Sequence, residues 1–234
     1  MVFPKKWLSI LSVNSLMLFN VSFPILMLPN IVNEGEVIAQ TYPSYEAEKL
    51  YKQGFELFKQ GTAESKKQAI KIWEKALQIY REGGNNRMEA LILFAIGRIY
   101  DDLGKKQTAL EYYNQSLTLS QEVGDKTGEA VILNNLGDIY NSLGEKQKAL
   151  EYLNQSLTLS QEVGNKIGEA ATLNNLGDLY SSLGEKQKAL DFLNQSLSLK
   201  REARKTATAK TQHIRPSATT QHPRIQSRPT QTTN

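Results

Sequence analysis

A forty-residue segment occurs twice in succession and limits what this 234-residue chain can fold into. Residues 124–163 and 164–203 are identical at 28 of 40 aligned positions. A repeat of this length is typical of stacked architectures, in which each unit is one supersecondary element that buries its apolar face only against its neighbours. The period therefore predicts a solenoid built from copies of one small unit.

Each unit is predicted to contain two helices. In the first copy, Leu136 and Tyr140 belong to an apolar stripe with helical spacing. Gly144 follows the stripe and suits a left-handed helix end, because glycine has no Cβ to clash there. A second apolar stripe then begins with Ala149 and Leu153. The unit is therefore predicted to be an αα-hairpin.

The hairpin carries a recognisable set of residues. It has a Leu-Gly-x-x-Tyr signature, a glycine between its helices and a second-helix alanine followed by a large residue, namely Leu136, Gly137, Tyr140, Gly144, Ala149 and Leu153, then Leu176, Gly177, Tyr180, Gly184, Ala189 and Leu193. This set resembles the tetratricopeptide (TPR) repeat. The forty-residue length, and Gly124 or Gly164 in place of a closing proline, resemble the longer repeats of kinesin light chains and LGN-type adaptors. The resemblance implies an all-α superhelix that binds proteins or peptides.

The period and the resemblance divide the chain into six segments. Residues 44–82 are predicted to be a divergent first repeat, in which Gly54 and Trp73 occupy matching positions. Terminal repeats are expected to be atypical, because one of their faces is uncovered. The full division is a signal peptide at 1–39, TPR repeats at 44–82, 83–123, 124–163 and 164–203, and a disordered basic tail at 204–234. The expected fold is thus a solenoid of about four repeats.

The N-terminal segment has the features of an export signal. Lys5 and Lys6 precede a mostly apolar run at residues 7–28, and Ala39 supplies the small residue that a signal peptidase requires. The mature protein is then expected to begin at Gln40 and to be periplasmic or secreted. An uncleaved membrane anchor is the alternative, because a run of this length could span a bilayer.

The C-terminal tail is predicted to be disordered. Residues 200–234 hold eight Lys and Arg against one Glu, so the formal charge of +4 hides a mildly acidic body. The residues after 203 are mainly Thr, Gln, Arg and Pro, without periodicity or aromatics, and bury too little apolar area to order themselves. Three interpretations stay open: a tail without a specific task, a frame-shifted or truncated end, and a polyanion-binding arm. The missing aromatics argue against a specific nucleic-acid partner.

Polar side chains left over between the apolar stripes of the first helices form the candidate binding site. We call this set the polar seam: Arg98, Asn134, Asn135, Asp138, Asn141, Asn174, Asn175 and Asp178. A carboxamide both donates and accepts hydrogen bonds, which matches the backbone of an extended peptide. Peptide-binding grooves of the long-repeat TPR subclass resemble this arrangement. A solvated surface repeated by duplication is the alternative interpretation.

Catalysis has no support in the sequence. The chain has no Cys, its two histidines are His213 and His222 in the tail, and no Gly-rich phosphate loop or metal-ligand cluster occurs. Exported TPR arrays resemble the front ends of longer proteins with a caspase-like module, but that module needs a Cys–His dyad. The sequence therefore predicts a scaffold without cofactor or metal.

The second helix of the last unit has no successor to cover it. Leu190, Leu193 and Leu197 lie on the face that the next repeat would bury. An exposed apolar strip is expected there, and with it self-association through the C-terminal repeat face. A structural, self-associating element is therefore the alternative function.

Overall fold

The computed structural model describes residues 43–213, which are helical apart from short turns. Residues 1–39, with the predicted signal or anchor, lie outside the described residues, as do residues 214–234 of the predicted tail. The described part contains eight helices and no strand. They are α1 (Pro43–Lys59), α2 (Ala63–Glu82), α3 (Asn86–Asp102), α4 (Lys106–Glu122), α5 (Lys126–Ser142), α6 (Lys146–Glu162), α7 (Lys166–Ser182) and α8 (Lys186–His213).

Consecutive helices pack in pairs and make four hairpins, α1–α2, α3–α4, α5–α6 and α7–α8. Each hairpin then packs on the next, so the predicted all-α hairpin solenoid is confirmed. Helix α5 also contacts both α3 and α7, whereas the second helices of the described hairpins make no comparable approach to one another. The first helices therefore lie on the inner, concave side of the stack.

Glycine in each first helix allows the second helix of the hairpin to approach closely. A Cβ added at Gly137 would lie 2.6 Å from Leu153 Cγ and 3.3 Å from the carbonyl oxygen of Ala149. In the first repeat, a Cβ on Gly54 would overlap the indole ring of Trp73. These glycines are thus explained by packing, as the sequence pattern predicts.

A buried serine joins the two helices of each later hairpin. Its hydroxyl donates to an alanine carbonyl in the first helix, which satisfies an otherwise buried polar group. The bonds run from Ser116 to Ala90, from Ser156 to Ala130 and from Ser196 to Ala170, at 2.7, 2.7 and 2.6 Å. Each hairpin thereby gains a polar contact in register with its apolar core.

The three inner first helices begin with a side-chain cap. Asn85, Asp125 and Asn165 each accept a backbone N–H from the residue three positions later, at 3.1, 3.0 and 3.0 Å. Helix α5 ends at Ser142, and Gly144 just beyond it has φ of 82°. The helix boundaries therefore follow from ordinary capping chemistry.

The last helix corrects the predicted start of the tail. Helix α8 continues to His213, whereas the sequence analysis places disorder from residue 204. Apart from three Thr and one His, residues 201–213 are Ala, Arg, Lys, Glu and Gln, and they include neither Gly nor Pro, so local propensity can extend a helix that is already nucleated by packing. The low hydrophobicity that predicts disorder does not by itself end a helix.

The uncovered face of α8 is apolar, as predicted. Leu190 and Leu197 are 54% and 46% exposed, and Leu193 is half-buried. Their counterparts are covered by the next hairpin; Leu110, for example, is 5% exposed. Since no further hairpin packs on α8 within residues 43–213, an apolar strip is exposed at this end of the described solenoid.

Candidate functional site

The polar seam lies on the first helices, and the structure joins parts of it across repeats. Asn175 Nδ2 on α7 donates to Asn134 Oδ1 on α5 at 3.0 Å. Further along the same pair of helices, the Ser182 hydroxyl donates to Asn141 Oδ1 at 3.3 Å. The seams of the third and fourth hairpins therefore form one continuous surface on the concave side.

The other two carboxamides bond within their own helices. Asn135 Nδ2 donates to the Val131 carbonyl at 2.7 Å, and Asn174 Nδ2 donates to Asp178 Oδ2 at 3.2 Å. Each amide nitrogen carries two N–H groups and each amide oxygen has two lone pairs, so one bond does not saturate the side chain. Within the described residues, the carbonyl oxygens of Asn135 and Asn174 accept no hydrogen bond. The seam thus keeps both donors and acceptors for a ligand.

Asp138 is the least compensated charge of the seam. It is exposed and has no hydrogen bond or ion pair with the described residues. Partial burial of its carboxylate on the concave surface raises its pKa; the carboxylates of Asp101 and Asp178 raise the pKa further, and the ammonium of Lys106 opposes them. The middle of the concave surface is therefore negative and favours a cation.

Arg98 lies apart from the asparagines. Its guanidinium carbon lies 5.6 Å from the ring centroid of Phe58 on α1, at a distance typical of a cation–π contact. In the same repeat, Asp101 pairs with Lys106 and Asp102 pairs with Lys66. The charges of the second repeat are thus largely neutralised within the protein, and Arg98 contributes to a separate, aromatic part of the seam.

A hollow of 570 Å³ opens beside the asparagines of the last two hairpins. Its polar wall consists of Asn134, Asn174 and Asn175, and apolar surface comes from Ile167 and Ala171. Ile167 is 74% exposed, which is the highest value for a large apolar side chain among the described residues. The hollow thus combines hydrogen-bonding groups with apolar surface, as a peptide site requires.

Basic residues complete this hollow, and the sequence analysis did not single them out. Lys166, Lys200 and Arg204 line it, and Lys166 pairs with Glu169 at 3.1 Å. Lys200 and Arg204 belong to α8. They were not predicted as site residues because the sequence analysis placed the start of the tail at residue 204 and so did not extend this helix. Ile167 could have been found, because it lies two turns before Asn174 on one helix face.

The described residues hold no cluster of three or more His, Cys, Asp or Glu that could bind a metal ion. Between residues 43 and 213, no helix combines the length and the apolar character needed to cross a bilayer.

The sequence matches the family model of the tetratricopeptide repeat at residues 63–122, 108–162 and 128–202. These spans cover more than half of the chain, which therefore belongs to the tetratricopeptide repeat family. No curated protein sequence matches it significantly.

Solved structures show the same fold. BtubC (BKLC) from P. vanneervenii is 21% identical over 80% of this chain and 71% of its own, with a TM-score of 0.58. TPR-like repeats assigned to a kinesin light chain of Podosopora anserina are 18% identical over 71% of this chain and 82% of theirs, with a TM-score of 0.52. MamA is 19% identical over 74% and 93%, with a TM-score of 0.52. At these identities the likeness concerns the fold alone.

Proposed function

We propose that the chain is a non-catalytic scaffold that binds an extended peptide or protein segment along the polar seam. The main support is the contact between Asn134 and Asn175, because it joins the seams of two repeats into one surface. An extended backbone offers one donor and one acceptor per residue and matches carboxamides that retain both functions. The repeat fold itself supports a protein-interaction role.

Hydrogen bonds from the seam are too weak to hold such a ligand alone. Four carboxamides at about 0.5–1.5 kcal/mol each contribute roughly 2–6 kcal/mol, before the cost of ordering the peptide. Micromolar affinity requires about 8 kcal/mol. The remainder must come from apolar contacts, which Ile167 and Ala171 supply in the adjacent hollow.

The scaffold is proposed to act outside the cytoplasm. The support is the predicted signal at residues 1–39, with the membrane anchor as the alternative. Edman sequencing of the protein recovered from its native host tests this assignment. An N-terminus at Gln40 is expected, and an intact Met1 in a membrane fraction would favour the anchor.

A matched pair of double variants tests the binding surface. Asn135→Ala with Asn175→Ala removes two seam carboxamides, whereas Asn154→Ala with Asn194→Ala removes two exposed carboxamides from the second helices. Partners are cross-linked in extracts of the native host and quantified by mass spectrometry. The seam variant should lose its partners while the second-helix variant keeps them. Equal capture by both would refute the assignment.

Self-association is a second candidate function, favoured by the exposure of Leu190 and Leu197. In that case the polar seam binds no ligand, and copies of the chain associate through the uncovered face of α8. Sedimentation velocity over a range of concentrations is compared for the native chain and for Leu190→Ser with Leu197→Ser. A concentration-dependent increase in mass that the double variant abolishes would support it, and a monomer at all concentrations would exclude it.

A further inference from the structure

The uncovered face of α8 is nearly identical to a face that is covered elsewhere in the chain. The second helix of each earlier hairpin packs against the first helix of the next, at the α2–α3, α4–α5 and α6–α7 junctions. Residues 186–199 of α8 match residues 146–159 of α6 at all but three positions. The face of α6 that binds α7 is therefore present again on α8, where no described helix covers it.

The helices that pack at these three junctions share one sequence pattern. Each has a Glu near its start and three buried side chains three, seven and ten positions after that Glu. The sets are Glu89, Ile92, Ile96 and Ile99 in α3, Glu129, Ile132, Leu136 and Ile139 in α5, and Glu169, Thr172, Leu176 and Leu179 in α7. We call this arrangement the junction pattern. Because α8 repeats the face of α6, a helix with this pattern fits it.

A polar contact sets the position of the Glu at each junction. A side chain at the end of the second helix, eight positions before the Glu, donates to the carboxylate. The bonds run from Arg81 to Glu89, from Gln121 to Glu129 and from Gln161 to Glu169, at 2.6, 2.8 and 3.1 Å. The next residue of this series is Arg201 on α8, which is exposed and has no hydrogen bond or ion pair with the described residues. Arg201 is therefore placed to pair with the Glu of an incoming helix, as Arg81 pairs with Glu89.

The charge at the end of α8 differs from that of α6. Residues 200–205 contain four Lys or Arg and one Glu, whereas the matching residues 160–165 contain one Glu and no basic residue. The first turn of an incoming helix would lie at this end, as the first turn of α7 lies at the end of α6. Helices α5 and α7 begin with Lys126 and Lys166, which would be repelled there. Acidic residues would be attracted instead, and the helix dipole also favours them in a first turn.

Three parts of the chain itself fit this face poorly. In α1, whose own junction face no described helix covers, the junction pattern holds the exposed polar residues Lys49, Gln53 and Glu56. A head-to-tail stack of copies would bury these side chains against leucines. A second α8 brings its own positive charge, since residues 186–205 hold six Lys or Arg against one Asp and one Glu. Residues 214–234 contain neither Asp nor Glu. The face thus favours a helix from another polypeptide.

We propose that the uncovered face of α8 is an open junction that binds an amphipathic helix of another protein. This helix has an acidic first turn, in which a Glu pairs with Arg201, and apolar side chains three, seven and ten positions after that Glu. The apolar side chains cover Leu190 and Leu197, which are 54% and 46% exposed. The surface is separate from the polar seam, so the inference goes beyond the proposed function and does not depend on it.

A fluorescent peptide of about 20 residues, long enough to form a helix, tests the proposal by anisotropy against the full chain. It is built from Ala and Gln, with Asp and Glu in the first turn and Ile, Leu and Leu three, seven and ten positions after the Glu. Comparators replace the apolar residues by Ser, move them one position along, or change the Glu to Lys. Loss or displacement of the apolar residues should weaken binding at least tenfold, because the leucines of α8 then stay exposed. The change to Lys should weaken it several-fold. A peptide with the sequence of α1 should not bind.

Protein variants assign the contacts to α8. Leu190→Ser with Leu197→Ser should weaken the probe at least tenfold, whereas Leu143→Ser should not, although Leu143 is equally exposed at 45% just after α5. Arg201→Glu should weaken the probe and strengthen the Lys comparator, an exchange that a merely structural role of Arg201 would not produce. The same charge reversal at Lys75, an exposed residue of α2, should do neither. Circular dichroism confirms that each variant is folded.

Several results would overturn the inference. No binding of the probe at millimolar concentration, or equal binding of the displaced comparator, would show that α8 does not read the junction pattern. Equal binding of the α1 peptide would favour head-to-tail stacking of copies. A dimer that needs Leu190 and Leu197, and that the probe does not dissociate in sedimentation velocity, would make a second copy the occupant. The variant with Asn135→Ala and Asn175→Ala should bind the probe as the native chain does; loss of probe binding there would place the probe on the polar seam instead.

Discussion

Replacing Gly137 by Ala tests whether the close approach of paired helices, rather than helix propensity, fixes glycine in the repeat. The new Cβ would lie 2.6 Å from Leu153 Cγ, and Leu153 is fully buried in a cluster with Ala149, Leu176 and Leu179. Overpacking of a closed core costs about 1–3 kcal/mol. The gain in helix propensity is about 0.5–1 kcal/mol. The net expectation is a loss of roughly 0–2.5 kcal/mol in the free energy of unfolding.

Gly177→Ala is the matched control inside the same chain. Its Cβ would meet Leu193 Cγ at 2.7 Å and the Ala189 carbonyl oxygen at 3.3 Å, nearly the same geometry as at Gly137. Leu193, however, is only half-buried, because no hairpin covers α8 within the described residues. It can therefore move aside, and the propensity gain should offset most of the clash. We expect a change of about zero, within roughly 0.5 kcal/mol.

Urea unfolding followed by circular dichroism gives the free-energy change for both variants. Repeat arrays do not always unfold in one step, so hydrogen exchange of α5 and α7 amides should accompany it. Faster exchange in α5 of Gly137→Ala, with little change in α7 of Gly177→Ala, is the expected pattern. Equal destabilisation of both variants, or stabilisation by Gly137→Ala, would show that the ability of the neighbouring leucine to move does not decide the outcome.

Two titrating side chains give the remaining predictions. Partial burial of the Asp138 carboxylate on the concave surface raises its pKa, Asp101 and Asp178 raise it further and Lys106 opposes them, so ionisation of Asp138 weakens the fold as pH rises through this range. Asp138→Asn should therefore raise the melting temperature at pH 7 but not at pH 3; an equal gain at both would contradict the electrostatic cause. Burial raises the pKa of Tyr113, whose hydroxyl is unpaired among the described residues. Tyr113→Phe should be neutral or stabilising by up to about 1–2 kcal/mol at pH 7, and should lose less stability than the native chain above pH 10 in urea titrations.

Much of the fold could be predicted because the residues that pack each hairpin occur at the same offsets in two copies of the repeat. Gly137 predicts a close helix crossing, and the structure shows that a Cβ there would clash with Leu153. Gly144 predicts a left-handed turn, and it has a positive φ. Such features depend on local sterics and on neighbours at fixed offsets, so one sequence suffices to find them.

The surface was harder to predict, because it depends on which side chains meet across repeats. Helical spacing places Asn134 and Asn175 on exposed faces, but it does not show that one donates to the other. Nor does it show that Asn135 bonds back to Val131, which reduces its free hydrogen-bonding capacity. The end of α8 was missed for another reason: composition predicts whether a segment can form a core, whereas a helix can extend beyond its core by propensity alone.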